Sequence, residues 1–280
     1  MSYTKWDLVI NSKSKKISYT FKDVWDYKDL LIMFVRRDFI AFYTQTILGP
    51  IWFFIQPLFT SILYLFVFKN IAGLSTGGLP PSVFYISGIA LWTYFGETLS
   101  KTSSVLRDHA SIFGKVYFPR ILVPLSICLS NFFKLLIQLL LLLLLSIFYS
   151  VNDSTILSIN IFFIPLLIAL LAIQAIGLGL ILSALSTKYK DLVLALGFAM
   201  QVMMYTAPIV YPISSLEGYP KLFVHLNPLS STIESFRFCF FGKGEFSPFW
   251  ILYSVVLSIV ILLVGLKLFG KAEKNFIDTV

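Results

Sequence analysis

The sequence is poor in charged residues, and this shortage excludes most classes of soluble protein. Charged residues make up 13% of the 280 positions, whereas hydrophobic residues make up 58%. Soluble globular proteins contain about 25% charged and about 45–50% apolar residues. A water-soluble domain of this length has no means of burying so much apolar surface. The composition therefore excludes a cytosolic enzyme, a disordered chain and a nucleic-acid-binding domain.

Residue types and motifs that commonly form disulfides, bind metals or phosphates, or catalyse reactions are scarce as well. Two cysteines and two histidines are too few for a disulfide framework or a Cys- or His-based metal site. The sequence has no G-x-x-x-x-G-K-[ST] phosphate-binding motif, so ATP and Mg²⁺, if used, bind another polypeptide. A G-x-S-x-G match at residues 73–77 lacks the strand, His and acid of a nucleophile elbow, and we interpret it as a turn. We predict no cofactor, no metal and no catalytic residue in this chain.

Six hydrophobic segments are long enough to cross a membrane, which takes about 20 mostly apolar residues. They are residues 47–68, 82–99, 121–149, 156–185, 192–211 and 249–269. The third and fourth exceed the bilayer thickness, so we expect them to tilt, kink or extend beyond it. The sequence predicts an all-α integral membrane protein whose six-helix transmembrane domain occupies residues 47–270.

The distribution of lysine and arginine predicts the orientation. The first 45 residues are polar and lack the apolar core of a secretory signal peptide, which places the N-terminus in the cytosol. The cytosolic segments then hold 17 of the 22 lysines and arginines, and the opposite face holds four. This bias follows the positive-inside rule, so we predict that both termini are cytosolic. The net charge of +8 is mostly a topological signal, with a nucleic-acid footprint as a remote alternative.

The segment before the first span has a moderately amphipathic pattern. Residues 1–46 form a lysine-rich arm followed by a predicted helix, and residues 271–280 form a short cytosolic tail. Between residues 25 and 42, charged side chains fall on one helical face and apolar ones largely on the other. The charged set is Asp26, Asp29, Arg36 and Arg37, and the apolar set is Tyr27, Leu30, Leu31 and Phe34. We predict a helix in the membrane interface; a solvated linker helix is the alternative.

The predicted cytosolic loop at residues 106–120 mixes charged and apolar side chains. A short cytosolic loop need not be this apolar. We therefore expect its apolar residues to pack either against a partner protein or against neighbouring helices, and the pattern does not separate these alternatives. The candidate contact residues are Arg107, Asp108, Ser111, Ile112, Phe113, Val116 and Tyr117.

Residues 212–248, on the predicted outer face, contain a further apolar stretch that is too short to span. Asn227-Pro228 is a favourable helix start, because Asn caps a helix and Pro tolerates its first position. Glu234 and Arg237 follow, three residues apart. We predict a re-entrant or interfacial helix pair; a structural external loop is the alternative.

Polar side chains in the predicted spans are expected to face the bundle interior or a water-filled path, because exposure to lipid is costly. They are Glu97, Lys134, Gln138, Gln174 and Gln201. For Lys134 we favour snorkelling toward the cytosolic boundary. Aromatic faces stack on sugar C–H groups, and rings in or near the spans are candidates for lining a polymer path. These are Tyr43, Trp52, Tyr64, Tyr85, Trp92, Tyr94 and Tyr205.

An ordered set of short motifs runs from the interface helix to the last span. It comprises Arg37-Asp38-Phe39, residues 43–52, Gln56-Pro57-Leu58, residues 112–124, Asn227-Pro228-Leu229, Phe236-Arg237 and Gly242. This set resembles ABC-2 type permeases of the Wzm/TagG/KpsM group, which export O-antigen, teichoic acid or capsule. One departure is that Ile40, Phe42 and Thr44 stand where that family often has basic residues. This departure puts in doubt a lipid-phosphate contact at those positions.

The resemblance implies a homodimer with two ATP-binding cassette subunits in the bacterial inner membrane. A lipid-linked polysaccharide would be admitted near Arg36 and Arg37 and moved outward by ATP hydrolysis on the partner subunits. The loop at residues 106–120 would couple to those subunits. Residues 212–248, with Asn227, Pro228, Glu234 and Arg237, would form an external gate. The first alternative is an exporter of a small hydrophobic drug or lipid. A less favoured alternative is a membrane enzyme acting on lipid-linked sugars.

Overall fold

The computed structural model describes residues 21–44, 49–113, 116, 118–152, 158–189 and 191–277. Within these ranges the regular structure is helical and contains no strand. The predicted N-terminal arm up to residue 20 and the last three residues of the predicted tail lie outside the described residues. The all-α class predicted from composition is confirmed for the described part of the chain.

The first helices run along one side of the bundle. α1 is Phe21–Asp26, α2 is Lys28–Thr44 and α3 is Trp52–Tyr64, which continues into a π-helical segment, Leu65–Ile71. The apolar face predicted for α2 packs on the protein core: Phe34 is buried, and Leu30 and Leu31 pack beside it. Ile32 and Met33 of α2 are exposed, so apolar side chains also remain on its outer side.

A buried helix lies at the centre of the bundle. α4 is Pro81–Ser103, and most of its side chains are buried against neighbouring helices. Two short helices follow, α5 (Val105–Asp108) and α6 (Ala110–Phe113), before the long α7 (Leu122–Asn152). At about 1.5 Å per residue, the 31 residues of α7 extend about 45 Å. The predicted excess of this span over the bilayer thickness of about 30 Å follows from that length.

Small residues allow the core helices to pack closely. α8 is Ile164–Ser186 and α12 is Pro248–Ile277. A Cβ placed on Gly265 of α12 would lie 2.6 Å from the carbonyl oxygen of Gly177 in α8. A Cβ on Gly179 would lie 2.6 Å from the Thr102 side chain of α4. Backbones that approach this closely are typical of helix pairs in membranes.

The remaining helices are the predicted fifth span, α9, and the two helices of the predicted outer face. α9 is Leu192–Thr206, α10 is Gly218–Leu226 and α11 is Pro228–Phe241. The Asn227 side chain accepts a hydrogen bond from the Leu229 N–H (3.1 Å) and so caps α11, as the Asn-Pro pair predicts. Gly242 ends α11 in the left-handed conformation (φ 68°), which glycine adopts without steric cost.

Four of the six predicted spans are long and apolar enough in the structure to cross a membrane. Within the described residues, these segments are Trp52–Ile71, Leu122–Ser150, Asn160–Ser186 and Pro248–Lys274. The second predicted span is the 23-residue α4, which is less hydrophobic. The fifth is shorter than predicted, because α9 ends at Thr206 after 15 residues. The count of six spans and the re-entrant path of α10 and α11 stay predictions.

A polar groove and an adjoining cavity as the candidate substrate path

A groove of about 350 Å³ lies between α3, α4, α7 and α9. Two of the predicted path residues, Tyr64 and Trp92, line it. Its polar lining comes from Gln56, Thr60, Thr93, Glu97 and Gln138. Polar groups at this depth are costly when they face lipid. The groove therefore has the lining expected of a path from which lipid is excluded.

The other predicted aromatic residues are placed differently. Tyr85 is fully buried, and its ring meets that of Tyr64 edge-on at 6.2 Å. Tyr94 is also buried, with its hydroxyl 3.1 Å from the Cys128 sulfur. Trp52 and Tyr205 are 42% and 51% exposed and do not line the groove. The side chain of Tyr43 lies outside the described residues.

A second cavity, of about 390 Å³, lies toward the predicted cytosolic side, between α2, α3, α4, α5 and α7. Arg37, a predicted contact for the lipid carrier, lines it and pairs with Asp38 at 2.9 Å. Arg36 is exposed and is not part of the lining. His109 lines the cavity too, and burial followed by the nearby Arg37 cation lowers its pKa. A neutral imidazole is therefore favoured at this position.

The groove and the cavity meet at an ion pair. Lys134 of α7 donates a 2.6 Å hydrogen bond to Glu97 of α4, and Lys101 donates to the same carboxylate oxygen at 3.2 Å. The Lys134 side chain is only 17% exposed. The snorkelling predicted for Lys134 is therefore wrong, because a carboxylate 37 residues away satisfies its charge inside the bundle.

The predicted coupling loop has one exposed face and one buried face. Arg107, Asp108, Ser111 and Val116 are exposed, and Ile112 is half-buried. Phe113 is buried and packs on Phe118, with ring centroids 5.8 Å apart, and beneath the Arg120 guanidinium. Phe113 belongs to the hydrophobic core, so its side chain packs inside the protein and is not exposed for a partner. Tyr117 lies outside the described residues.

The predicted external gate contains a buried ion pair. Glu234 and Arg237 are each 1% exposed, and Arg237 Nη1 donates to Glu234 Oε1 at 3.1 Å. Arg237 also donates to the carbonyl oxygens of Pro208 (2.6 Å), Phe84 (3.3 Å) and Ile209 (3.4 Å). The Glu234 carboxylate accepts from backbone N–H groups of residues 213 and 245. The pair therefore joins α11 to the start of α4 and to two loops.

Burial lowers the pKa of Arg237, and the Glu234 carboxylate opposes that shift. Asn227 and Pro228 begin the same helix. The Asn227 amide donates to Thr206 at 3.3 Å, which ties α11 to the end of α9. Within the described structure, the predicted gate residues are thus held by contacts to the start of α4, to the end of α9 and to two loops.

Sequence profiles place this arrangement in a known family. The profile of the ABC-2 type transporter family matches residues 29–241. The chain belongs to the ABC-2 type transporter family. The resemblance noted from the short motifs is confirmed, and the matched region contains the groove, the cavity, the predicted coupling loop and the buried Glu234–Arg237 pair. Together with the long apolar helices, membership of this family indicates a multi-pass membrane protein and a transporter subunit.

This ABC-2 chain is also similar to curated proteins that are named O-antigen export system permease protein RfbA. A relative from Myxococcus xanthus is 23% identical over 263 residues, which cover 92% of this chain and 98% of the relative. Two relatives from Klebsiella pneumoniae are 27% and 26% identical over 251 residues, which cover 89% of this chain and 94% of each relative.

Sequence reasoning on the ABC-2 chain missed two tertiary contacts. The first joins Glu97 to both lysines, of which only the i,i+4 spacing to Lys101 is visible in the sequence. The second joins the end of the predicted coupling loop to α12: Arg120 donates to the Glu273 carbonyl at 3.1 Å, and its guanidinium lies 3.6 Å from the Glu273 carboxylate. Among the described residues, no group of three or more His, Cys, Asp or Glu side chains is arranged to hold a metal ion.

Proposed function

We propose that this chain is the permease subunit of an ATP-driven transporter. The transporter exports a lipid-linked polysaccharide, such as O-antigen, outward across the bacterial cytoplasmic membrane. The observation that carries this proposal is the groove of polar and aromatic side chains between α3, α4, α7 and α9 in an ABC-2 chain. The names of three relatives that align over nearly the whole chain point to the same cargo.

A second copy of the chain completes the conduit in this proposal. Gln56 of α3 and Gln201 of α9 are exposed, although they lie on largely apolar helices. Phe59 and Phe198, on the same two helices, are 69% and 72% exposed. A second copy packed on this side would cover the apolar rings and remove the polar groove from lipid. Membrane lipids would then contact the outer faces of the other spans.

Energy for transport comes from two separate ATP-binding cassette subunits in this proposal, because the sequence has no phosphate-binding loop. ATP and Mg²⁺ bind those subunits, and the permease itself makes and breaks no covalent bond. The exposed Arg107, Asp108 and Ser111 form the surface that meets them. Both termini lie in the cytosol, and no nucleic acid takes part.

Deletion of the gene tests which molecule the transporter exports. We expect surface O-antigen to disappear and lipid-linked glycan to accumulate inside the cell, with the wild-type gene restoring export. Affinity purification of the tagged chain should recover an ATP-hydrolysing partner. Intact surface glycan after deletion, together with accumulation of a small hydrophobic drug in the deletion strain, would instead identify a drug exporter with the same fold.

A further inference from the structure

One carboxylate is shared by two lysines at the boundary between the groove and the cavity. Lys101 and Lys134 line the cavity of about 390 Å³, whereas Glu97 lines the groove of about 350 Å³. A narrow space of about 10 Å³ lies where the two meet, and its lining includes Glu97, Lys134 and Asn131. The ion pair therefore forms part of the wall that separates the two spaces.

One carboxylate oxygen accepts hydrogen bonds from two ammonium groups at this wall. Two ammonium groups share one carboxylate, so the three side chains carry a net charge of +1. The other charged residues of the cavity are paired nearby: Arg37 with Asp38 at 2.9 Å, and Asp108 with Arg107 at 3.3 Å. Lys101 is 51% exposed and Lys134 is 17% exposed, and both line the cavity, so a further anion in the cavity lies within reach of both ammonium groups. The cavity lined by both lysines is open to such an anion.

We propose that Lys134 and Lys101 form a transient binding site for an oxyanion of the transported molecule, either a phosphate or a carboxylate. In this site Glu97 is the resident counter-ion that the oxyanion replaces. The inference rests on the proposed function, because it names the chemistry of the cargo at one point of that path. In this proposal the two lysines contact the oxyanion. Glu97 pairs with them again when the oxyanion leaves, and this closes the boundary between the groove and the cavity.

Exchange of one anion for another suits a transport site. The incoming oxyanion accepts the charge-assisted hydrogen bonds that Glu97 held, so the number of such bonds changes little and the exchange has a low cost. Once released, the Glu97 side chain no longer holds α4 to α7 across the narrow space. Conduction requires binding that is favourable enough to admit a ligand and weak enough to release it. A competing carboxylate in the site meets both requirements.

The test uses the purified full-length chain in lipid nanodiscs and isothermal titration calorimetry. The anionic ligands are geranylgeranyl diphosphate, which enters from the membrane, and inorganic diphosphate and trigalacturonate, which enter from water. Geranylgeraniol is the neutral control. Binding by the lipid diphosphate alone places the oxyanion on a lipid carrier, whereas binding by trigalacturonate places it on the glycan. Either result supports the site.

Variants of the three residues give the decisive comparison. We expect Glu97→Gln to bind the anionic ligand about tenfold more tightly and Lys134→Gln about tenfold more weakly, because one removes the competitor and the other a contact. Lys101→Gln removes a side chain that is 51% exposed, and we expect weakening of about two- to fivefold. Lys69→Gln, on the exposed π-helical segment, is the matched lysine control and should not change binding.

An ion pair with a purely structural role predicts a different pattern. Glu97→Gln and Lys134→Gln would then both lower the melting temperature and would change anion binding in the same direction, which would overturn the proposal. Equal affinity for geranylgeraniol and its diphosphate would also overturn it. If the two buried-pair variants do not fold, Lys101→Gln decides, and unchanged binding refutes the site. Failure of the proposed function itself is seen separately, as normal surface glycan in the deletion strain.

Discussion

The guanidinium of Arg237 lies against the face of the Phe84 ring, with its central carbon 3.7 Å from the ring centroid, although 153 residues separate the two. Gly88 makes this approach possible, because a Cβ at that position would lie 2.9 Å from a guanidinium nitrogen of Arg237. A cation on an aromatic face is stabilised by the ring quadrupole, most strongly where water is excluded. The contact fixes α11 to the start of α4.

Removing the charge of Arg237 should destabilise the protein severely. Arg237→Gln leaves the Glu234 carboxylate buried without its guanidinium partner, and we expect a loss of about 3–5 kcal/mol in the free energy of unfolding. The double variant Glu234→Gln/Arg237→Gln should lose less, because no uncompensated charge remains buried. Thermal unfolding in detergent, followed by size-exclusion chromatography, measures both. Equal losses for the single and double variants would show that packing, rather than the ion pair, stabilises this region.

Two variants in the predicted coupling loop should separate an effect on folding from an effect on coupling. Phe113→Asp places a charge among Phe118 and other buried groups, so we expect less folded protein as well as loss of export. Asp108→Lys changes an exposed side chain and should leave the protein level normal. If α5 meets the motor, this second variant lowers export per ATP hydrolysed. Membrane protein level, ATPase activity and surface glycan together measure these effects.

Normal export by Phe113→Asp at a normal protein level would contradict the packing seen in the structure. Unchanged coupling in Asp108→Lys would show that the partner subunit does not contact this face of α5.

Two neighbouring rings should respond differently to truncation. Trp92 lines the groove, whereas Phe95 is buried beside it, with ring centroids 5.8 Å apart. We expect Trp92→Ala to reduce export more than it reduces the protein level, because the groove loses a stacking face. Phe95→Ala leaves a core cavity at a cost of about 3–5 kcal/mol, so export and protein level should fall together. Equal losses for Trp92→Ala would identify Trp92 as a structural ring as well.

Two glycine substitutions should have opposite effects on stability, because Gly265 lies at the close contact between α8 and α12 and Gly197 lies in open space. Gly265→Ala would place a Cβ 2.6 Å from the Gly177 carbonyl oxygen and should destabilise the helix pair by about 1–3 kcal/mol. Gly197→Ala, in α9, meets no heavy atom within 4 Å and replaces glycine inside a helix, so we expect a gain of up to about 1 kcal/mol. Thermal unfolding of the two variants checks both signs. Similar stability of Gly265→Ala and wild type would refute the close approach.

His225 should make stability depend on pH. It is buried, and its ring stacks on Trp250 with centroids 4.7 Å apart. Burial lowers its pKa, which the nearby Glu245 carboxylate opposes and Lys221 reinforces. The folded state therefore takes up a proton less readily than the unfolded chain, in which the imidazole pKa is about 6.5. The stability contribution is fully present above that value and declines as pH falls below it.

The melting temperature of the wild type should accordingly drop between pH 8 and pH 5.5. His225→Phe keeps a ring against Trp250 and removes the titrating group. A drop of the same size in this variant would assign the pH dependence to other residues.

Membrane location, helical class and family could all be predicted from the sequence, because each depends on composition, run length or the order of short motifs. Four predicted spans are present as long apolar helices, and the cap at Asn227 was visible from its neighbour Pro228. Hydropathy indicates that a helix avoids water, but it does not show whether lipid or protein surrounds that helix. For that reason α4 was predicted as an ordinary span, although most of its side chains pack inside the bundle.

The contacts between distant side chains could not be predicted from the sequence and are seen in the folded bundle. The tertiary structure placed Tyr85 and Tyr94 in the core and Trp92 in the groove, turned Phe113 inward, and brought Lys134 to Glu97. A local pattern specifies the face of a helix on which a residue lies. Which helix covers that face depends on the packing of the whole bundle, and there the cost of an unpaired charge selects arrangements in which distant acids and bases meet.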